Sequence, residues 1–232
     1  MKVLLYMACS EVTMFAVENE NIDMKWTDKI EVTNEDNMAL MARYPNDHFD
    51  LAIVDIPYGL GDKLTQGGTW ANKYKKADAK WDILPKKEYF LELNRVSINQ
   101  IIWGGNYAHE YLKNNRHFII WDKLSHMPTM ADCEYAWSSF DTNAKIYKHP
   151  RNTNEKRIHI TQKPVALYKW LLTNYAQKGD KILDTHLGSG SIAIACHELG
   201  FELTACELDA EYYEAAHKRF QQQTAQLRLN LA

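Results

Sequence analysis

The chain has 232 residues, of which 46% are hydrophobic and 25% are charged, a composition typical of one globular domain with a sizeable core. Its formal net charge of −3 excludes a broadly basic protein, so any surface that binds nucleic acid must be local. No apolar run reaches the ~18 residues of a membrane helix, and Glu11 interrupts the apolar start, which favours a cytoplasmic protein. The cysteines have no CxxC spacing and no partnering histidine pattern, so buried free thiols and no metal site are expected at Cys9, Cys133, Cys196 and Cys206.

Hydrophobic periodicity predicts alternating strands and helices after an N-terminal appendage, residues 1–28, which has no clear period. This alternation predicts an α/β protein with a mostly parallel, doubly wound sheet in one domain, residues 29–232. The segments predicted to be strands are 29–36, 50–55, 100–105, 117–123, 131–140 (a late antiparallel strand), 181–186 and 201–209. The segments predicted to be helices are 37–44, a helix beginning near Pro85, 106–114, a helix following Pro164, 189–200 and about 210–227.

Two short polar and basic stretches interrupt the alternation, near 60–80 and at 141–158. The first combines glycines with five lysines and aromatic residues, which predicts a mobile loop. The second carries five basic residues against two acidic ones, which is typical of a solvated loop. Both are interpreted as insertions within the single domain.

The segment DLAIVDIPYG, residues 50–59, ends a predicted buried strand with Asp55, Ile56, Pro57 and Tyr58. The reactive crevice of an open α/β sheet lies outside the carboxyl ends of its strands, so this strand end is expected to face it. A carboxylate, a rigid turn and an aromatic ring are suited to hold a planar group that bears an NH2. Taken alone, an ordinary strand followed by a Pro-Tyr-Gly turn explains the segment better.

A second strand end, DTHLGSGS at 184–191, has the composition of a ligand-binding corner and is called the glycine corner here. Gly188 and Gly190 allow a tight turn into a helix whose first N–H groups can face an anion. Glu207 follows Asp184 by 23 residues, close to the spacing at which an acidic residue holds ribose hydroxyls. The third glycine of G-x-G-x-x-G and the P-loop lysine are both missing. A ribose-bearing ligand with a carboxylate and no phosphate, such as S-adenosylmethionine, fits these features better.

Together the two strand ends resemble the motifs of the amino-methyltransferases that modify exocyclic amines of nucleic-acid bases. The catalytic-type motif precedes the cofactor-type motif, as in the circularly permuted beta group of DNA N6-adenine and N4-cytosine methyltransferases. HITQKP at 159–164 and ELDAEYYEAA from Glu207 resemble further segments of that group. Each motif alone is weak evidence, but their combination over about residues 29–220 is specific.

The resemblance implies a Rossmann-like methyltransferase fold and methyl transfer from S-adenosylmethionine to N6 of adenine in double-stranded DNA. Asp55 and the carbonyl of Ile56 would accept the N–H bonds of the target amine, and Tyr58 would stack on the extruded base. The group usually has Pro where this chain has Ile56, but the acceptor is a backbone carbonyl and Pro57 still favours an extended residue before it. Asp rather than Ser at position 55 favours adenine.

The resemblance also implies cofactor-binding and DNA-binding residues. The residues expected to bind the cofactor are Asp36 near its adenine, Glu207 at its ribose, Thr161, Lys163 and Gly188 near its amino-acid end, and Asp184, Gly190 and Ser191 in the glycine corner. Asp184 has a competing role as a cap of the turn, and His186 is expected to be a neutral surface histidine. The residues expected to contact DNA are Lys63, Trp70, Lys75, Lys76, Lys148, Arg151, Lys156 and Arg157.

The insertions are short, and their lysines and arginines mainly contact phosphates, which predicts a short or weakly specific recognition site. A homodimer that enlarges the DNA-binding surface is also expected. Three alternatives stay open. They are an N4-cytosine DNA methyltransferase, an RNA adenine methyltransferase, and a non-catalytic nucleic-acid-binding protein that has kept the fold.

Overall fold

The computed structural model describes residues 24–61, 82–125, 131–151, 157–159 and 161–230. Within these residues the strands are β1 (Met24–Lys25), β2 (Ile30–Thr33), β3 (Phe49–Asp55), β4 (Ser97–Trp103), β5 (Phe118–Asp122), β6 (Cys133–Ser138), β7 (Lys145–Lys148), β8 (Lys181–Asp184) and β9 (Glu202–Cys206). The α-helices are α1 (Asn37–Ala42), α2 (Lys87–Val96), α3 (Val165–Tyr175), α4 (Ser191–Leu199) and α5 (Ala210–Asn230). None of the described helices is long and apolar enough to cross a membrane.

The strands of the described residues form one sheet in the order β1-β2-β9-β8-β3-β4-β6-β5-β7. The consecutive strands β2, β9, β8, β3 and β4 run parallel to one another. β6 runs antiparallel to both β4 and β5, and β1 runs antiparallel to β2. The predicted mostly parallel α/β sheet with a late antiparallel strand is therefore confirmed.

Helices cover both faces of the sheet, and each face has its own apolar core. On one face α3, α4 and α5 contribute Leu171, Ile192 and Phe220. On the other face α1 and α2 contribute Leu40 and Phe90. This is the doubly wound arrangement, in which central strands are buried on both sides.

β3 shows why a strand in this position appears in the sequence as a nearly continuous apolar run. Leu51 and Ile53 point into the core beneath α3, α4 and α5, whereas Ala52 and Val54 point into the core beneath α1 and α2. Successive side chains of a strand point to opposite faces, so both sets must be apolar.

The switch point of the sheet lies between the neighbouring strands β3 and β8. The chain leaves β3 through α2 towards β4, on one side of the pair, and leaves β8 through α4 towards β9, on the other side. Connections that diverge in this way leave a crevice at the carboxyl ends of the two strands. The two strand ends singled out in the sequence therefore border the same crevice.

The predicted helix at 106–114 is wrong. The chain forms a three-residue 3-10 helix, Gly105–Tyr107, and then single turns. The backbone bonds join residues three apart, as in Tyr107 N to Gly104 O at 2.9 Å and Tyr111 N to Ala108 O at 2.9 Å. Gly104, with a φ of 77°, sets the chain on this tighter path directly after β4.

The predicted loop at 141–158 contains a strand, β7, which pairs in parallel with β5 at the edge of the sheet. Tyr147 anchors this strand because its ring packs against Trp170, with 5.1 Å between the centroids. Lys145 and Lys148 are exposed at its two ends, and charged residues of this kind are common on edge strands. One thiol expectation is also wrong, because Cys133 is exposed whereas Cys196 and Cys206 are buried.

The boundary placed at residue 28 is too late. Met24 and Lys25 pair with β2, and the ring of Trp26 packs against Phe220 of α5 with 5.1 Å between the centroids. Residues 24–28 therefore belong to the domain, and residues 1–23 lie outside the described residues.

Trp26→Ala is expected to lower the free energy of unfolding by about 3 kcal/mol, because the large ring covers one side of α5 and leaves a cavity when removed. Urea unfolding followed by circular dichroism measures the change. Ile98→Ala is the control, since that side chain is 53% exposed on β4 and its loss should cost less than about 0.5 kcal/mol. Equal stability of the Trp26 variant and the wild type would show that β1 is not anchored to α5.

Candidate active site

A cavity of about 450 Å³ opens at the carboxyl ends of β3 and β8. This volume lies in the usual range for small-molecule sites. Its walls come from segments that are distant in the sequence but meet at one edge of the sheet. The lining residues lie in 35–38, 55–58, 82–89, 159–163, 185–189 and 207–212, together with Tyr168.

Asp55, at the end of β3, belongs to a buried ionic cluster that also contains Tyr58, Lys123, Glu134 and Lys163. The Lys163 Nζ atom lies 2.5 Å from Asp55 Oδ2 and 3.0 Å from Glu134 Oε2. The Tyr58 hydroxyl donates to Asp55 Oδ1 at 2.9 Å and accepts from Lys163 Nζ at 3.2 Å. Lys123 Nζ lies 2.9 Å from Glu134 Oε1. Carboxylates and ammonium groups thus alternate from Asp55 through Lys163 and Glu134 to Lys123, and the Tyr58 hydroxyl contacts the first three of them.

Burial and pairing oppose each other within this cluster. Burial raises the pKa of Asp55, and the nearby Lys163 ammonium limits that rise. Burial acts in the same direction on Glu134, but Lys163 and Lys123 outweigh it and hold the pKa of Glu134 at about 2. For Lys163, the two carboxylates overcome burial and raise its pKa above the usual value. Lys163 and Glu134 are therefore charged at neutral pH. The contacts given above place a donor on each oxygen of Asp55.

The ring of Tyr58 is fixed by two residues that follow β4. Its plane lies at 21° to that of Tyr107, with 4.9 Å between the ring centroids. A Cβ atom on Gly104 would overlap the Cε1 atom of Tyr58, so only glycine leaves room for the ring there. Neither residue was expected from the sequence, although the Gly-Gly pair at the end of the strand predicted at 100–105 was a usable signal.

The glycine corner uses its two glycines differently. Gly188 donates its N–H to Glu207 Oε2 at 2.8 Å, and a Cβ there would meet nothing closer than the His159 ring at 3.9 Å. A Cβ on Gly190 would instead lie 3.2 Å from the Cβ of Ala216 on α5. Gly188 therefore borders the cavity, whereas Gly190 allows α5 to pack closely.

All four residues predicted to be catalytic line the cavity, and so do five of the eight predicted to bind the cofactor: Asp36, Thr161, Lys163, Gly188 and Glu207. The remaining three, Asp184, Gly190 and Ser191, belong to the glycine corner but do not line the cavity. Asp184 is 1% exposed and accepts the N–H of His186 at 2.9 Å, which is its expected role as a cap of the turn. Ser191 donates to the backbone oxygen of Lys163 at 2.7 Å and so joins α4 to the segment before α3.

Two predicted cofactor residues have different surroundings from those expected. Lys163 was placed near the amino-acid end of the cofactor, but its ammonium is held by Asp55 and Glu134. Asp36 caps α1, with its Oδ1 atom 2.9 Å from the N–H of Met38, and still borders the cavity.

His186 is neutral, as predicted, but it is not an outer-surface residue. Burial lowers its pKa to about 4, and its ring forms part of the cavity wall. Its Nε2 lies 3.1 Å from Asn37 Nδ2 and its Nδ1 lies 2.9 Å from Thr185 Oγ1. The Asn37 amide donates, so His186 carries its proton on Nδ1. Neither Asn37 nor Thr185 was assigned a role from the sequence.

Most of the residues predicted to contact DNA lie outside the described residues: Lys63, Trp70, Lys75, Lys76 and Lys156. Lys148 is exposed at the end of β7, and Arg151 and Arg157 are half-buried. Arg157 Nη2 lies 3.4 Å from the backbone oxygen of Arg151, so this pair is partly engaged within the protein. Among the residues that the structure describes, no group of histidine, cysteine, aspartate and glutamate side chains could hold a metal ion.

A doubly wound sheet in which an Asp-x-Pro-Tyr turn and a glycine corner share one crevice defines a Rossmann-like methyltransferase. The family model of the N6/N4 methyltransferases, described as DNA methylase, matches residues 5–218. The chain therefore belongs to this family of DNA methylases. The match includes most of the segment that was interpreted as an appendage.

Individual relatives are similar at low identity. The type II methyltransferase M2.DpnII of Streptococcus pneumoniae is 23% identical over 83% of this chain and 90% of its own length. The crystal structure of the M1.HpyAVI–SAM complex is 20% identical, with a TM-score of 0.54 over 82% of this chain and 98% of that one. The cytosine-N4-specific PvuII DNA methyltransferase is 12% identical, with a TM-score of 0.60 over 84% of this chain and 87% of that one. These two structures share the fold of the protein.

Lys163→Met is expected to destabilise the fold by about 3–5 kcal/mol, because it leaves the buried carboxylates of Asp55 and Glu134 without their shared counter-ion. Urea unfolding at neutral pH measures this loss. Lys169→Met is the matched control, since Lys169 pairs with Glu198 at the partly exposed surface and its loss should cost less than about 1 kcal/mol. Equal effects of the two substitutions would contradict a structural role for the ionic cluster.

Proposed function

We propose that the protein transfers the methyl group of S-adenosylmethionine to N6 of adenine in double-stranded DNA. Membership of the N6/N4 DNA methylase family supports the reaction class and the cofactor. The observation that carries the choice of adenine is the carboxylate of Asp55, which lines the cavity at the first position of the Asp-Ile-Pro-Tyr turn. A serine would be expected there in a cytosine enzyme of the resembling group.

The cavity fits the proposed cofactor. Gly188 carries no side chain, so its backbone can be approached closely, and the Glu207 carboxylate borders the same wall. Asp36 borders the same cavity at the start of α1, where a nucleoside base would be within reach. When bound, the cofactor supplies a methyl group activated by a positively charged sulfonium, and the acidic wall suits a cation.

Asp55 supplies the acceptor that the target amine needs. The lone pair of an exocyclic amine is delocalised into the base, so the free amine is a poor nucleophile. Hydrogen bonds from its two N–H groups to Asp55 and to the carbonyl of Ile56 would localise that lone pair towards the methyl group. The carboxylate would also stabilise the positive charge that develops on the nitrogen, and it is the nearest acceptor for the proton that leaves.

Tyr58 and Lys163 prepare Asp55 for this role. Each holds one carboxylate oxygen, which fixes the plane of the group and leaves further lone pairs for the amine. Pre-oriented acceptors avoid the cost of reorganising during the reaction. The side chain of Ile56 is buried in the core beneath α1 and α2, so a residue other than proline is accommodated without exposing apolar surface.

An N4-cytosine specificity is the second candidate, and the fold shared with the cytosine-N4-specific PvuII enzyme favours it. Adenine and cytosine present the same amidine-like edge, with an amino donor beside a ring nitrogen. Asp55 could therefore accept from either amine, and only the product distinguishes them.

The product test incubates the protein with methyl-labelled S-adenosylmethionine and, in separate reactions, duplex DNA and RNA, followed by digestion and identification of the labelled nucleoside. We expect the label in N6-methyl-2′-deoxyadenosine. Label in N4-methylcytosine would overturn the base assignment, and label in RNA but not in DNA would overturn the substrate. Absence of label in any nucleic acid would favour a non-catalytic protein.

Asp55→Ala and Glu207→Ala are expected to separate chemistry from cofactor binding. Loss of the Asp55 acceptor should lower turnover by orders of magnitude with little change in cofactor affinity. Loss of the Glu207 carboxylate should weaken cofactor binding by roughly 1–3 kcal/mol. Calorimetry and single-turnover rates of both variants check this, and near-normal methylation by the Asp55 variant would refute the proposed catalytic turn.

The predicted homodimer and the short or weakly specific recognition site remain proposals. Exposed Lys148, at the edge of the sheet, is a described candidate for phosphate contact. Sedimentation of the protein with and without DNA would establish the oligomeric state, and sequencing of methylated DNA would establish the site.

A further inference from the structure

Asp82 holds the turn that follows β3, although no sequence motif includes it. Its side chain is buried, with 5% of the residue exposed. Its Oδ1 atom accepts the N–H groups of Tyr58 at 2.8 Å and Gly59 at 2.9 Å, and its Oδ2 atom accepts the N–H of Gly61 at 2.7 Å. One carboxylate therefore satisfies three backbone donors of a single turn.

The convergence of these donors depends on the glycines. Gly59 and Gly61 have φ values of 69° and 51°, a left-handed conformation that aims successive N–H groups at one point. Such a concave set of N–H groups binds an anion, and here the anion is the Asp82 side chain. Charge-assisted hydrogen bonds of this kind are stronger than those between neutral groups.

The turn must be fixed by a residue outside it, because its own backbone forms few hydrogen bonds that could fix it. The strand ladder ends with Asp55, which pairs in register with Trp103 of β4. Pro57 has no N–H, so Tyr58 is the first residue after it whose backbone can be tied down. The resembling methyltransferases usually have a second proline at position 56, and this chain has Ile56, which leaves that residue with more freedom.

The position of the turn matters for the acceptors of the proposed reaction. Asp55 is fixed by the sheet on one side, and Tyr58 is fixed by Asp82 on the other. Only Ile56 and Pro57 lie between these two points, and the ring of Pro57 fixes its φ. Asp82 therefore limits how far the Ile56 carbonyl can rotate away from the place where the target amine must lie.

We propose that Asp82 is a positioning residue for methyl transfer, which acts through the backbone of residues 58–61 to hold the Ile56 carbonyl and the Tyr58 ring in place. The proposal rests on the proposed catalytic role of the turn, but not on which base is methylated. It assigns to Asp82 an effect on the rate of transfer rather than on cofactor affinity. Since Asp82 also borders the cavity, direct cofactor contact is the competing role.

Asp82→Ala removes both acceptor oxygens and with them all three hydrogen bonds, whereas Asp82→Asn keeps one acceptor oxygen. The second variant therefore tests the proposal even if the first does not fold. We expect kcat on duplex DNA to fall by about 10- to 100-fold in Asp82→Ala and by less in Asp82→Asn, since small misplacements of reacting groups have effects of this size. The cofactor Kd, measured by calorimetry, should stay within about twofold of the wild type.

Asp180→Asn is the matched control. Asp180 also accepts a turn N–H, that of Gln177 at 2.8 Å, but at the amino end of β8, away from the cavity. Its kcat should equal that of the wild type. The proposal is overturned if Asp82→Asn leaves kcat unchanged, if it weakens cofactor binding while kcat is kept, or if Asp180→Asn lowers kcat equally.

Amide hydrogen exchange supplies a readout that does not require activity. The amides of Tyr58, Gly59 and Gly61 should exchange faster in both Asp82 variants, whereas those of β3 should not change. Unchanged protection of the three amides would show that Asp82 does not hold the turn, and so would overturn the proposal. The rate of each variant is compared with that of the wild type on the base that the wild type methylates. If that base is cytosine, the proposed adenine specificity is overturned, but the test of Asp82 remains valid.

Discussion

The carboxyl end of the sheet depends on a single buried ammonium group, that of Lys163. Its side chain is 1% exposed, and a lone charge at such a place would be very costly, so it is stable only because Asp55 and Glu134 share it. Asp55 ends β3 and Glu134 lies on the antiparallel strand β6, with β4 between them. Lys163 therefore ties together strands that have no hydrogen bonds to one another, at the wall of the cavity.

The two sides of the crevice have different electrostatic characters. On the side of the glycine corner, the Gly188 N–H donates to the carboxylate of Glu207, whose pKa is raised by burial. The other side offers Asp55 within a cluster whose charges balance. In the proposed reaction the positive charge passes from the sulfonium of the cofactor to the nitrogen of the target amine. Glu207 would lie on the side of the cofactor, and Asp55 would lie beside the amine. The protein thus accommodates the moving charge with groups that are already in place.

The fold and the two motifs could be predicted because both follow from local rules. Strand and helix periods are local, and parallel strands place their carboxyl ends at one edge, so Asp55 and Gly188 could be expected to border the same crevice. Glu134 could not be found in this way, because its approach to Lys163 depends on the register of β6 across the sheet. Asp82 was missed for a similar reason, since a carboxylate that binds backbone N–H groups leaves no periodic trace. The 3-10 turn after β4 was missed because its apolar spacing resembles that of a helix.

The position of β8 between β9 and β3 has a consequence for how the molecule is made. β3 can pair with β4 soon after both leave the ribosome, but its other neighbour, β8, is synthesised more than a hundred residues later. During that interval β3 has an open edge of apolar residues, and open edges of this kind invite pairing with other chains. A nascent chain that stalls before Lys181 would therefore carry a complete Asp-Ile-Pro-Tyr turn on an unprotected strand. The arrival of β8 protects the strand and brings the second of the two strand ends to the crevice.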